Sequence, residues 1–193
     1  MDAAARAHIY TFFSRLFIRE MDDTLEAALS SDLGRALLPG WDGAQDRTAL
    51  DADFVNLTVV NVTPYESFYV REDGMVESGG ANPLAAFLLK YGFEADLAAA
   101  RSISADHIGI ELELMGVFCA RQAEALHDNQ TDYATRIQQV QVEFLREHLL
   151  RWAPVYFLAV QRTAKTTLYR EGADAALQFL LTDHALLTSG GPA

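Results

Sequence analysis

Apolar residues recur every three or four positions along most of this chain, the spacing that gathers side chains on one face of a helix. Ile9, Phe13, Leu16 and Phe17 predict a first helix ending near Glu20, in a segment without Gly or Pro. A second starts at Asp22 or Asp23, acidic residues suited to a helix N-terminus, carries Leu25, Leu29 and Leu33, and stops before Pro39-Gly40. Residues 46–60 predict a third helix, although Val55, Thr58, Val59 and Val60 are β-branched and equally suit a strand.

Between Asn61 and Pro83 the period breaks. Pro64, Gly74, Gly79, Gly80, Asn82 and Pro83 interrupt every element, predicting one long irregular loop near residues 61–83. Structureless loops beyond about 12–15 residues are uncommon in compact domains and are usually functional or mobile. The segment PYESFY at 64–69 is also too aromatic for a merely solvated connection. Either a site or a hinge is expected there.

Periodicity resumes through Leu84, Phe87, Leu88 and Tyr91, with Gly92 placed for a left-handed C-cap. Ser104 is a suitable N-cap for the strongest helix, in which Ile108, Leu112, Met115, Cys119, Ala123 and Leu126 form a stripe. Ile110, Leu114 and Val117 add a second apolar face, so this helix is expected to be central. The next carries Tyr133, Ile137, Val140, Phe144 and His148 and closes around Trp152. Pro154 then fits the first turn of another, which buries Val155, Leu158 and Ala159. A last helix uses Leu177, Leu180, Leu181 and His184. The prediction is an all-α single domain over 1–193, a bundle of about seven or eight helices without βαβ alternation or fixed repeats.

Composition narrows the class. The 193 residues are 50% hydrophobic and 22% charged with five prolines, which excludes disorder. A net charge of −12 argues against nucleic acid and anionic lipid, whose binding needs clustered Lys and Arg. The charge is uneven: residues 1–96 hold 7 basic and 16 acidic side chains, a net −9, against 8 and 11, a net −3, in residues 97–193. The single cysteine, Cys119, cannot form an internal disulfide, and Met1-Asp2 opens no signal-like stretch, so a reduced cytoplasmic location is expected. Apolar runs such as 155–160 fall far short of the roughly 20 residues a membrane span requires.

No GxxxxGK[ST], GxGxxG or GxSxG motif is present, which removes the standard nucleotide cradles and the nucleophile elbow. Cys119 lies on an apolar stripe, where a buried structural thiol is expected. Glu124 and His127 form one ExxH, but a carboxylate-bridged di-metal bundle needs two, so a metal-dependent helical enzyme using His107, Glu111, Glu124 or His127 is a rival reading. No cofactor or metal is expected. Asp106 suits a helix start, whereas His107 is an odd choice at that positive end, where the dipole depresses its pKa unless Asp106 or Glu111 holds a proton on it.

PYESFY at 64–69, ADHIGIELELM at 105–115 and FLREHLLRWAP at 144–154, in this order and spacing, resemble the TorD/DmsD family of redox-enzyme maturation chaperones. The likeness spans most of the chain and includes the aromatic helix around Tyr10 to Phe17. It implies a cytoplasmic, non-catalytic, all-α chaperone. Such a protein binds the twin-arginine signal peptide, and often the body, of an apo-molybdenum-cofactor oxidoreductase subunit until the cofactor is inserted. Pro64, Tyr65, Ser67 and Tyr69 fall on the family's loop motif, and Asp106 and His107 on its Asp-His motif. With Glu66, Phe68 and Glu111 these form the expected signal-peptide site: Glu66, Asp106 and Glu111 for charge, Tyr65, Phe68 and Tyr69 for aromatic faces. His148, Trp152 and Pro154, on the C-terminal motif, are expected to be structural. The chain departs from the commoner pattern in carrying Ser104-Ala105 before Asp106, where an acidic residue and a proline are usual. It also has Tyr65 where several members have tryptophan. The family likeness further implies a monomer or a domain-swapped dimer. A rival from another class is an adaptor that binds only a folded partner.

Overall fold

The computed structural model describes residues 1–189; the remaining four positions of the expected 1–193 domain lie outside them. Among the described residues there are eleven α-helices and two π-helical turns, and no strand. Because one π turn joins two of the helices without a break, the continuous helical segments number ten rather than seven or eight.

The long first helix, α1 (Ala3–Ile18), is capped by the Asp2 carboxylate and buries Tyr10, Phe13, Leu16 and Phe17 almost completely. What the periodicity read as one helix after Asp22 is two, α2 (Asp23–Leu29) and α3 (Asp32–Leu37). The break falls at Ser30-Ser31, where the Ser31 hydroxyl accepts the Gly34 N–H and starts a new helix instead of prolonging the old one. Residues 46–60 resolve as helix, not strand: α4 (Arg47–Val55) runs into a π-helical turn (Asn56–Asn61). Its valines, Val55, Val59 and Val60, point to solvent. The expected long loop is cut by α5 (Glu66–Val70), which occupies PYESFY and leaves residues 71–84 irregular. α6 (Ala85–Tyr91) ends on Gly92 at φ 68°, the left-handed cap that only a residue without Cβ adopts cheaply. Between it and the central helix stands one turn, α7 (Leu97–Ala100).

The central helix, α8 (Ile108–His127), is capped by His107, not by Ser104, which is itself buried among polar partners. α8 lies antiparallel against α1, with Gly109 facing Ile18 and Gly116 facing Thr11. A Cβ on Gly109 would come within 2.7 Å of the Ile18 Cβ, so the approach of the two helices at this end requires glycine.

α9 (Thr131–Phe144) passes through the second π-helical turn (Leu145–Leu149) into α10 (Leu150–Thr163), so no helix ends at Trp152 and Pro154 sits inside α10. A π turn inserts an extra residue and rotates everything beyond it. The side chains that α10 buries are therefore Trp152, Tyr156, Phe157 and Val160, while Val155 and Leu158, expected inside, are exposed. The last helix, α11 (Thr167–Ser189), buries Leu177, Leu180 and Asp183 but exposes Leu181; Tyr133 on α9 and Leu126 on α8 are likewise outside. No helix among the described residues is long and apolar enough to cross a membrane.

Candidate functional site

The two segments singled out in the sequence are tied to each other by the backbone. Tyr65 and His107 are both extended, and they form an isolated antiparallel bridge: Ile108 N–H donates to the Pro64 carbonyl and Glu66 N–H to the Asp106 carbonyl, each at 2.9 Å. α5 begins at once after this bridge, so its first N–H groups need acceptors from elsewhere. One is met by Asp106, whose Oδ2 accepts the Ser67 N–H at 2.7 Å and thereby caps a helix in another part of the chain. The second Asp106 oxygen accepts the Ser104 hydroxyl. Around it, Asn82 donates to the Ser104 Oγ at 2.7 Å and to the Glu77 carbonyl at 2.6 Å, and the Ser67 Oγ accepts the Glu77 N–H at 3.0 Å. Buried polar groups thus pin the irregular stretch after α5 to the start of α8.

His107 Nδ1 accepts the Gly109 N–H at 3.1 Å, which leaves the proton of the neutral ring on Nε2. Burial pushes its pKa down to about 4, and the neighbouring Asp106 only partly opposes this, so the ring is neutral at pH 7. Its edge meets the Tyr65 ring at a centroid distance of 5.2 Å.

Behind this pair lie two buried carboxyl groups. Glu66 Oε2 pairs with His148 Nδ1 at 2.9 Å, and Glu111 Oε2 accepts the Trp152 indole N–H at 3.2 Å; the second oxygen of each has no partner in the protein. Burial raises the Glu111 pKa well above the ordinary carboxylate range, the nearby Glu66 raises it further, the Trp152 bond opposes this, and Asp106 adds a smaller increase. Glu111 is therefore biased toward its protonated, neutral form. Tyr69 stacks on Trp152 at 5.4 Å and 29°, its phenol pushed up to about 12 by burial. Phe68 packs edge-on to Tyr69 and is 38% exposed.

All the residues expected at the site therefore meet, but in two layers. Pro64, Tyr65 and His107 form the wall of one cavity, Phe68 and Tyr69 follow on α5 with Tyr69 stacked on Trp152, and Glu66, Ser67, Asp106 and Glu111 are buried behind them. His148 and Trp152, expected to be structural, belong to the same inner layer, and His148 sits in the π turn.

Pro64, Tyr65 and His107 line a cavity of about 150 Å³, closed on its other side by Ile18, Phe54 and Thr58. It shares Arg19, Glu20 and Arg101 with an open cleft of about 830 Å³ that also holds Asp22 and Asp51. The carboxylates beside the wall are thus Glu20, Asp22 and Asp51, which sequence reading missed, and they share the cleft with Arg19 and Arg101. Asp22 is also the N-cap of α2 and pairs with Arg15 at 2.5 Å, and a carboxylate between two helices reads as a cap and no more. Glu20 stands 3.6 Å from Arg101, and Asp51 Oδ1 has no partner.

The metal reading loses its constellation. Glu124 and His127 are exposed at the far end of α8, about 26 and about 30 Å from His107 at 1.5 Å per residue. Among the described residues no group of three or more His, Cys, Asp or Glu could hold a metal ion. Cys119 is buried, and its thiol is pushed up to about 12 by burial, so it stays protonated.

The family described as nitrate reductase delta subunit matches residues 11–157. Proteins named "Chaperone protein TorD" from Vibrio parahaemolyticus serotype O3:K6, Psychrobacter sp. and Aeromonas salmonicida are 25%, 29% and 26% identical to this chain. The alignments cover 94%, 95% and 97% of this chain and 94%, 91% and 94% of those proteins. No solved structure matches.

Proposed function

The chain belongs to the nitrate reductase delta subunit family, with the TorD-type redox-enzyme maturation chaperones, and from that premise we propose that it is a cytoplasmic, non-catalytic chaperone for a twin-arginine signal peptide. Its client is the apo form of a molybdenum-cofactor oxidoreductase catalytic subunit, held until the cofactor is inserted and before export.

The observation that carries this reading is the wall formed by Pro64, Tyr65 and His107 beside an acidic cleft. A guanidinium pairs with a carboxylate and stacks on an aromatic ring, and Glu20, Asp51 and Tyr65 line one continuous depression, in which an incoming arginine would compete with Arg101 for Glu20. An exposed ion pair gives only about 0.2–1 kcal/mol, whereas a charge-assisted hydrogen bond in a partly buried cleft gives about 1.5–3 kcal/mol. Asp106 supports this surface from behind by capping α5 at Ser67, the Gly109 N–H fixes the His107 ring, and Glu66 and Glu111 anchor to His148 and Trp152. Phe68 and Tyr69 add two further aromatic rings on α5.

Calorimetric titration with a twin-arginine signal peptide, and with Lys-Lys and Ala-Ala versions of it, tests the reading. The arginine peptide should bind most tightly, with affinity falling as salt rises. Equal binding of all three peptides, or of none, would overturn it.

A further inference from the structure

A third cavity, of about 300 Å³, opens on the opposite side of Arg19 from the acidic cleft, between the end of α1, the turn α7 and the middle of α8. Its origin is compositional. Residues 94–101 read EADLAAAR, and the alanines leave no side chain long enough to fill the gap against Ile110 and Leu114, which α8 buries. Phe93 forms one side, packed edge-on against Phe118 at 5.3 Å and covered by the Arg121 guanidinium at 4.7 Å. The lining is mostly apolar, while Glu94, Asp96 and Glu113 stand on its edge, exposed and outside every ion pair among the described residues. Arg19 lines this cavity and both of the others, donates to the Ala99 carbonyl at 3.1 Å, and keeps its buried Nε without a partner.

We infer that this cavity is a socket for one or two large apolar side chains of a cationic peptide, a second subsite that selects among leaders by the residue they insert. The inference rests on the signal-peptide reading above. Its occupant follows from size and charge. An apolar cavity of about 150 Å³ accommodates a benzene ring, so one of twice that volume takes a leucine or phenylalanine with room to spare. The acidic edge repels a segment that carries acid and attracts one that carries Lys or Arg. The shared wall at Ile18 and Arg19 lets one extended peptide reach from the Tyr65 side into the socket.

A twin-arginine peptide carrying photo-leucine at each apolar position in turn, irradiated on the intact protein and mapped by mass spectrometry, should mark residues 93–100 and 110–117 from at least one position. In parallel, Ala99→Trp, which fills the socket from an exposed position, should weaken the peptide about tenfold or more. Glu113→Lys should weaken it and flatten its salt dependence. Both variants should keep the wild-type melting temperature and the preference for Arg-Arg over Lys-Lys. If the Arg-Arg preference holds but cross-links map only to residues 64–69 and 107, or Ala99→Trp binds as wild type does, the socket is refuted and the leader reading survives. If the wild-type protein binds no peptide, both fall.

Discussion

The Asp106 carboxylate accepts the backbone N–H of Ser67 at 2.7 Å across 39 residues of chain, so the start of α5 is capped by a side chain from the segment preceding α8. A five-residue helix cannot sustain itself in water; its geometry is imposed by this bond and by the Tyr65–His107 bridge beside it. Asp106→Ala orphans the Ser67 N–H in a site that water does not reach and leaves the Ser104 hydroxyl only the Glu77 carbonyl at 3.0 Å as acceptor. A hydrogen bond to a charged group contributes about 1.5–3 kcal/mol, and the unfolding free energy from urea denaturation should fall by that amount, through a lower midpoint with the m-value unchanged. Helical circular dichroism at 25 °C should stay near the wild-type value while peptide affinity drops, because the wall has moved and the bundle has not. Wild-type stability in this variant would show that α5 holds without its cap.

Glu111 sets the response to rising pH. The Glu111 pKa in the folded chain is raised well above its unfolded value near 4.5, so between the two the native state holds a proton that the unfolded state has lost. The stability this proton confers is fully present below about 4.5 and is lost as pH rises toward the folded pKa. Glu111→Gln keeps an oxygen for the Trp152 indole and abolishes the titration. It should raise the melting temperature at pH 8 more than at pH 5. An equal change at both would show that the carboxyl is ionised in the fold.

His107 acts in the opposite direction. Its pKa is about 4 in the fold against 6.5 unfolded, so its contribution is present above about 6.5 and is lost as pH falls toward 4. At about 1.4 kcal/mol per pH unit the whole effect is on the order of 3 kcal/mol. Asn is a good N-cap and does not titrate, so His107→Asn keeps the acceptor for α8 and should flatten the stability profile between pH 6.5 and 4. A profile as steep as the wild type's would assign the slope to another group.

How far these features could be read from the chain depends on the range of the interaction. The faces of α1 and α8 and the Gly92 cap follow from local spacing and are observed, save that Leu126 at the end of the α8 stripe is exposed. The phase of α10 does not, because the π turn at Leu145–Leu149 adds one residue per turn without any compositional mark and swings Val155 and Leu158 outward. The family pattern picks out the residues of the candidate site but not the shape they take. Glutamates are almost never fully buried, so Glu66 and Glu111 read as surface charge when they are the inner braces of the wall. Glu20 and Asp51, the charges that do face the cleft, sit at ordinary helix positions with no motif around them.

The pairing of Arg6 with Asp183, separated by 177 residues, is the extreme case of a long-range feature with no local signal, and it makes a sharp prediction. Arg6 Nη2 donates to Asp183 Oδ2 at 2.9 Å, a second bond joins Nε to Oδ1, and the Tyr10 hydroxyl donates to the same carboxylate at 2.7 Å. Both ions are nearly inaccessible, at 4% and 0% exposure, and together they fasten α11 to the first turns of α1. Two ions taken out of water recover their hydration only through each other, so the pair need contribute little net stability, yet losing one member leaves the other charged and unsatisfied. Asp183→Ala should therefore cost about 3–5 kcal/mol by urea denaturation. The double variant Arg6→Met with Asp183→Leu, which replaces the pair by apolar side chains of similar size, should recover most of that loss. A double variant no more stable than Asp183→Ala would mean that the carboxylate matters mainly as the acceptor for Tyr10, whose hydroxyl both variants strand.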